Sequence, residues 1–353
     1  MSRTSGSHGS APRSMTAAVL RDGRIELQER TTPAPARGEA LLRPRLSGVC
    51  GTDLELLRGY QDFSGVPGHE FVADIVRVPD QEDLEGERAV ADINCGCGEC
   101  IECLCRGQAH CPHRSVIGIR GEQGAFAEYL TVPAANLHIL PRDMPDRLAV
   151  FAEPLAAALR PTQQILITAD MHVAVLGDGK MGLLTAMALR HVNPEILLVG
   201  RHSDKLAIFE RTGGSTLLTR HEDSAALPEN GGGGFDLVVE ATGNPAGIEQ
   251  AARMCRPQGT IALKTTSQRA TSFPFSLIAS REQRILGSRC GNLDLALHYL
   301  QYGLVNPRPL IETVIPWPEV HKALEQGAAR GSKKVLLDHL GPAETIRREG
   351  HGG

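Results

Sequence analysis

Val173-Ala174-Val175-Leu176-Gly177-Asp178-Gly179-Lys180-Met181-Gly182 is the stretch on which the fold turns. A short apolar run with Val at alternate positions closes on Gly-x-Gly-x-x-Gly, and the apolar residues Leu183 to Leu189 follow, so the order reads strand, tight turn, helix. Gly177 allows the turn, Gly179 lets backbone approach a pyrophosphate, and Gly182 lets the helix pack closely on the strand. The phosphates then meet the positive end of the helix dipole. Lys180 and Met181, at the two open positions of the turn, join these glycines as cofactor-binding positions. A glycine-rich loop between an ordinary buried strand and helix is the bland alternative, and the correct flanks on both sides argue against it.

The next apolar run, Glu195 to Val199, ends in Gly200-Arg201-His202. About 20 residues past such a turn, an NAD site usually has an acid at the strand end for the ribose hydroxyls. Gly200 stands there instead. An acid would repel a 2′-phosphate, whereas glycine leaves room for one and Arg201, with His202 or Lys205 nearby, supplies countercharge. The expectation is NADP(H) in preference to NAD(H).

With 353 residues the chain exceeds what one core usually serves, so two domains are expected. A formal net charge of −4 provides no basic field for nucleic acid or an acidic membrane surface. No apolar run approaches the roughly 18 residues of a membrane-spanning helix. Residues 1–14 and 341–353 are polar and read as a disordered leader and tail, the leader lacking the apolar segment of a signal peptide. Nine cysteines in that setting point to a reducing compartment, the cytoplasm, and to metal ligation rather than disulfides.

From residue 15 to about 155, short Val/Leu runs broken by Gly and Pro predict a β-rich, barrel-like domain. From 156 to 288, helical segments alternate with the apolar runs Val173–Leu176, Ile196–Val199, Phe235–Glu240 and Gly259–Leu263, predicting an α/β domain with a parallel sheet. Residues 289–340, with a helix over Leu293–Gln301 and a strand at Lys334–Leu337, read as a return to the first domain. The glycine run at 230–234 is assigned no role.

Cys97-x2-Cys100-x2-Cys103-x7-Cys111 suits a closed tetrahedral zinc site, structural because all four positions are filled, within a lobe over 95–111. Cys95 and Cys105 lie beside it. A second, scattered set comprises Cys50 in Cys50-Gly51-Thr52-Asp53, His69 and Glu70 in Gly68-His69-Glu70, and Glu153 in Glu153-Pro154-Leu155. Alone, each has an ordinary reading as a core thiol, a satisfied histidine or a turn.

In this order and at these separations, the motifs resemble zinc-dependent medium-chain alcohol dehydrogenases, on the polyol, threonine and sugar dehydrogenase side, over roughly Thr16 to Leu337. The resemblance implies a GroES-like catalytic domain and a Rossmann domain. It implies two zinc ions per chain, the catalytic one held by Cys50, His69 and either Glu70 or Glu153, with Thr52 relaying the substrate proton. Glu55 stands where a relay histidine is common, a feature similar to glucose dehydrogenases of the family. Glu153 in place of a cysteine ligand argues for a polyhydroxylated substrate. Thr242, Arg289 and Lys334 match positions that reach the cofactor. The implied substrate is a small polyol, sugar or ketone, and the implied assembly a homodimer or homotetramer. Two alternatives stand beside this reading: a reductase of enones or quinones without catalytic zinc, and a non-catalytic NADPH-binding protein.

Overall fold

A computed structural model describes residues 11–219, 233–267 and 269–341. The expected leader up to residue 10, the tail from 342 and most of the glycine run lie outside the described residues. Within the leader as read from sequence, Ser14 already begins a strand, Ser14–Arg21, paired antiparallel with Arg24–Thr31.

The chain divides into two compact units, one running to Phe151 and resuming at Thr313, the other spanning Ala152–Glu312. The return therefore begins at Thr313 and not at 289. The physical reason is in the second unit: the strand Arg284–Gly287 completes its sheet. The helix Leu293–Gln301, with Ala296, Leu297 and Leu300 buried, packs on Ala152–Gln164 of the same unit. Glu153, expected at the end of the first domain, belongs to the second unit.

The first unit is built around a seven-stranded sheet whose long central strand Glu39–Gly48 lies between Glu70–Arg77 and Lys334–Asp338. Leu336 pairs with Gly48, so the last strand is integral to the sheet that carries Val49 and Cys50 out of its edge. Phe126, Trp317, Val335 and Leu337 share one buried cluster with Val49. This is the β-rich domain expected from the short Val/Leu runs, with the GroES-like architecture that the resemblance implies.

His339 follows that last strand, with its ring stacked on Trp317 at 5.1 Å and its Nε2 2.9 Å from Ser47 Oγ. Its Nδ1 is out of contact with solvent and has no hydrogen-bond partner among the described residues. Burial pulls its pKa down to about 3 from an ordinary 6.5. Between those values the unfolded chain binds a proton that the folded chain refuses, so this stability is present above pH 6.5 and is lost as pH falls. The loss is about 2 kcal/mol by about pH 5. His339→Gln is expected to flatten the acid side of a stability–pH curve measured by urea unfolding; an unchanged slope would refute the assignment.

In the second unit we number the strands β1 (Val173–Leu176), β2 (Ile196–Gly200), β3 (Ser215–Leu218), β4 (Phe235–Glu240), β5 (Cys255–Leu263) and β6 (Arg284–Gly287). They form one parallel sheet in the order β3-β2-β1-β4-β5-β6. All four residues of β1 are buried, which explains a continuous apolar run where a half-exposed strand would alternate. The order reverses at β1, and in such open sheets ligands bind beyond the carboxyl ends of the strands at that switch point. This is the Rossmann arrangement. Among the described residues no helix is long and apolar enough to cross a membrane.

Candidate active site

The glycine turn sits at the switch point, at the mouth of a cavity of about 210 Å³. Gly177 has φ +115° and a Cβ there would come within 2.6 Å of Ala241 O, so both conformation and space demand glycine. Among the described residues nothing lies within 4 Å of the Cβ position at Gly179, which leaves that backbone open to a ligand. A Cβ at Gly182 would run into Gly177 O, fixing the close helix–strand contact. Arg201, His202, Lys205 and Thr242 line the same cavity; Lys180 and Met181 begin the helix Lys180–Leu189 and are not among the lining residues. Thr242 donates from Oγ1 and from its backbone N–H to buried Glu240 Oε1, at 2.6 and 2.9 Å.

Gly200 requires a correction. A Cβ there would come within 2.5 Å of Asp178 Oδ2, so the space that glycine leaves is filled by a carboxylate and not left for a 2′-phosphate. The expected NADP(H) preference loses its steric basis. Asp178 gives no separate signal in the sequence, because it sits inside a motif whose glycines carry the pattern.

In the first unit, Cys50 caps the helix Gly51–Leu56, and its backbone N–H donates to Asp53 Oδ2 at 2.8 Å. His69 and Glu70 come from the start of the neighbouring strand and are 3% and 1% exposed. One ligand atom from each of Cys50, His69 and Glu70 lies within 4.8 Å of the others. Behind the imidazole, buried Asp53 Oδ1 lies 3.4 Å from His69 Nδ1. Burial works against a charged imidazole, but Asp53 and Cys50 hold the His69 pKa well above its ordinary value. A sulfur, a nitrogen and a carboxylate oxygen converging in this way, with a carboxylate backing the histidine, fit zinc. Among the described residues neither the Asp53 Oδ1 nor the His69 Nδ1 has a hydrogen bond of good geometry, so the pair could tighten if a cation were held at the other ring nitrogen. Asp53 was not read as functional from sequence, although its place three residues after a helix cap is a legible signal.

Thr52 Oγ1 is 3.7 Å from Cys50 Sγ, so its hydroxyl faces the thiol. Glu55 instead accepts from Arg58 Nη1 at 2.6 Å, a partly exposed pair across the C-terminal end of that helix. Lys334 departs from expectation more sharply. It is 3% exposed, its ammonium donates to Glu70 Oε2 and lies 3.4 Å from Val49 O, so its charge is committed to Glu70 rather than held out for a cofactor.

Cys97, Cys100, Cys103 and Cys111 form the second group of converging ligands. Their Sγ separations of 3.7, 3.7 and 4.0 Å match the edge of about 3.8 Å that a tetrahedron with Zn–S bonds of about 2.3 Å requires. The N–H groups of Cys97 and Cys103 point at Cys111 Sγ and Cys100 Sγ, each at 3.5 Å, as thiolates need. Cys95 is buried elsewhere, against Asn136, and Cys105 is exposed.

Glu153 stands in the first turn of Ala152–Gln164, the helix that contains Pro161. Proline cannot donate to the carbonyl four residues back, that of Ala157. Lys264, just past β5, supplies the missing donor: its ammonium bonds Ala157 O and lies 3.2 Å from both Ser288 O and Ser288 Oγ. Burial pulls the Lys264 pKa down to about 7, against the opposing pull of Cys290 and Glu153. Lys264 thus ties the Glu153 helix to the strand ends, a role that needs the tertiary pairing to be seen. Arg289 is exposed.

With this geometry in hand, comparison with known proteins is direct. The family description "Alcohol dehydrogenase GroES-like domain" matches residues 36–142 and "Zinc-binding dehydrogenase" matches residues 181–301. The chain is 29% identical over 339 residues to an erythritol/L-threitol dehydrogenase of Mycolicibacterium smegmatis, covering 88% of this chain and 93% of that one. It superposes with a TM-score of 0.84 and 26% identity on a crystal structure of the short chain alcohol dehydrogenase RspB from Escherichia coli CFT073 with NADH, covering 93% and 100% of the two chains. A putative zinc-binding dehydrogenase from Sinorhizobium meliloti bound to NADP gives 0.83 and 28%, covering 92% and 99%.

Proposed function

We propose the following activity for a chain that belongs to the zinc-dependent medium-chain alcohol dehydrogenase family: NAD(P)-linked interconversion of a secondary alcohol and a ketone on a sugar, cyclitol or other polyol. The observation that carries it is the convergence of Cys50, His69 and Glu70 with Asp53 behind the imidazole, in a chain whose other unit carries a dinucleotide turn. When bound, zinc supplies a Lewis acid that stabilises the alkoxide and the nicotinamide supplies a hydride acceptor.

The protein's own groups do the rest. Cys50 and His69 would hold the metal, and Asp53, which faces His69 Nδ1, would leave Nε2 as the nitrogen to ligate it. Glu70, neutralised by Lys334, is a ligand that can be exchanged; among the described residues, Glu153 is not one of the ligand residues that converge there. Thr52 accepts the hydroxyl proton and passes it on. With Glu55 paired to Arg58, the relay beyond Thr52 runs to solvent rather than through a fixed carboxylate. The erythritol/L-threitol dehydrogenase likeness supports a polyol, whereas similar structures with NADH and with NADP leave the cofactor to be argued from this chain's own residues. β6 is an edge strand with Ile285 partly exposed, which suits edge-to-edge pairing in a homodimer or homotetramer. Nine cysteines, none of them in a disulfide among the described residues and four of them in a metal-fitting cluster, suit the cytoplasm.

The test is turnover by zinc-loaded protein on a panel of erythritol, sorbitol and inositols with each nicotinamide cofactor, followed by absorbance at the reduced-nicotinamide band. Oxidation of a secondary hydroxyl is expected. Turnover confined to enone or quinone reduction, and unaffected by loss of the Cys50 metal, would overturn the reading.

A further inference from the structure

We propose that Asp178 makes this site selective for NAD(H) over NADP(H), by filling the anion nest at the end of β2 with a carboxylate of the protein's own. The proposal rests on the dinucleotide reading of the glycine turn and changes its cofactor assignment.

Three donors converge on Asp178. Oδ2 accepts the backbone N–H groups of Arg201 and His202, each at 2.6 Å, and Oδ1 lies 3.0 Å from His202 Nδ1. Successive backbone N–H groups with a ring N–H beside them are the kind of concavity that binds phosphate. Here the anion is built in. Asp178 is 7% exposed and lines the cavity together with Gly179 and Gly200. Burial works against its charge, but the bonds from His202 and Arg201 hold its pKa below the ordinary carboxylate range, so it is ionised at neutral pH.

Two consequences follow for a dinucleotide whose adenosine ribose lies at the end of β2. A 2′-phosphate would have to compete for donors already taken, next to a like charge, and such juxtaposition is costly. A 2′-hydroxyl meets no such barrier: an ionised carboxylate has about four lone-pair directions, more than these three donors use, and can accept from it. The acid usually supplied by the strand end is thus supplied from across the groove by the preceding turn. Gly200 fits the same account, since any side chain there would displace the carboxylate. Arg201 and Lys205 line the cavity as well and become useful to a phosphate only when Asp178 is removed.

The experiment is equilibrium titration with NADH and with NADPH, read by nicotinamide fluorescence. It uses the wild type, Asp178→Asn, Asp178→Ala, and Asp178→Ala combined with Arg201→Ala, with circular dichroism to check folding. The wild type is expected to bind NADH at least about tenfold more tightly, and both single variants to shift the NADPH/NADH affinity ratio toward NADPH by about 10- to 100-fold. Adding Arg201→Ala should reverse that gain. Should Asp178→Ala fail to fold, the near-isosteric Asp178→Asn, which keeps an acceptor for the two backbone N–H groups, carries the test. Tighter NADPH binding by the wild type, or an unchanged ratio in folded Asp178→Asn, overturns the proposal while leaving the dinucleotide site intact. Failure of the wild type to bind either cofactor overturns the dinucleotide reading itself.

Discussion

Cys50→Ala is expected to lower kcat/KM for the alcohol by about a thousandfold or more and to take the zinc content from about two ions per chain to about one. NADH affinity should stay within about twofold, because the glycine turn belongs to the other unit. The substitution removes a sulfur and little else. The backbone N–H of residue 50 keeps its bond to Asp53 Oδ2, so the helix Gly51–Leu56 keeps its cap, and Cys50 is only half-buried, so the cavity left behind is small. What remains is His69 with Glu70, and Glu70 is already paired with Lys334. A single nitrogen and a neutralised carboxylate hold zinc poorly. Elemental analysis of wild type and variant, beside steady-state kinetics and an NADH titration, separates the outcomes. Unchanged zinc content would show that the Cys50 cluster does not hold the metal; loss of zinc without loss of turnover would show that the reaction does not use it.

The same residues show how far a sequence can be read. Glycine is legible when the demand is local: Gly177 and Gly182 face backbone of their own turn or of the adjacent strand end, and the motif spells them out. Gly200 is not, because the atom that excludes a side chain there belongs to Asp178, 22 positions earlier, and only the parallel pairing of β1 with β2 brings the two together. Cys97 to Cys111 are legible because four ligands fall within one short lobe. Glu70 was legible as a ligand but not as an ion pair, since Lys334 reaches it through a strand from the far end of the chain. Lys264 follows the same logic: the proline that creates its task is at 161, and no spacing rule links the two positions. The misplaced return at 289 has a related cause. β6 and the helix Leu293–Gln301 look surplus to a cofactor domain in sequence, but buried Ala296 and Leu300 need the face of Ala152–Gln164 to cover them.

Cys111→Ser is expected to cost the first unit more stability than any of the substitutions above, with a fall in thermal midpoint of roughly 10 °C and loss of about one zinc ion per chain. The lobe has little else to hold it. Its helix Ile101–Arg106 has no buried residue, and Ile101 and Leu104 are each 70% exposed, so the apolar side chains that would normally anchor a helix face outward. Cys111, by contrast, is fully buried, and the sulfurs of both Cys97 and Cys100 approach its own at 3.7 Å. Metal ligation then takes the place of a hydrophobic core, and in small zinc modules it contributes on the order of 10 kcal/mol of folding free energy. A serine in that position offers a poor zinc ligand and leaves three thiolates crowded without a cation to balance them. The control is Cys105→Ser, in the helix Ile101–Arg106 of the same lobe but exposed and outside the cluster, which should change neither zinc content nor thermal midpoint. Limited proteolysis adds a local reading: cleavage between residues 97 and 111 should accelerate in Cys111→Ser and in chelator-treated wild type alike. Equal effects from the two serine substitutions would mean that the lobe depends on its thiols in general and not on a metal held by these four.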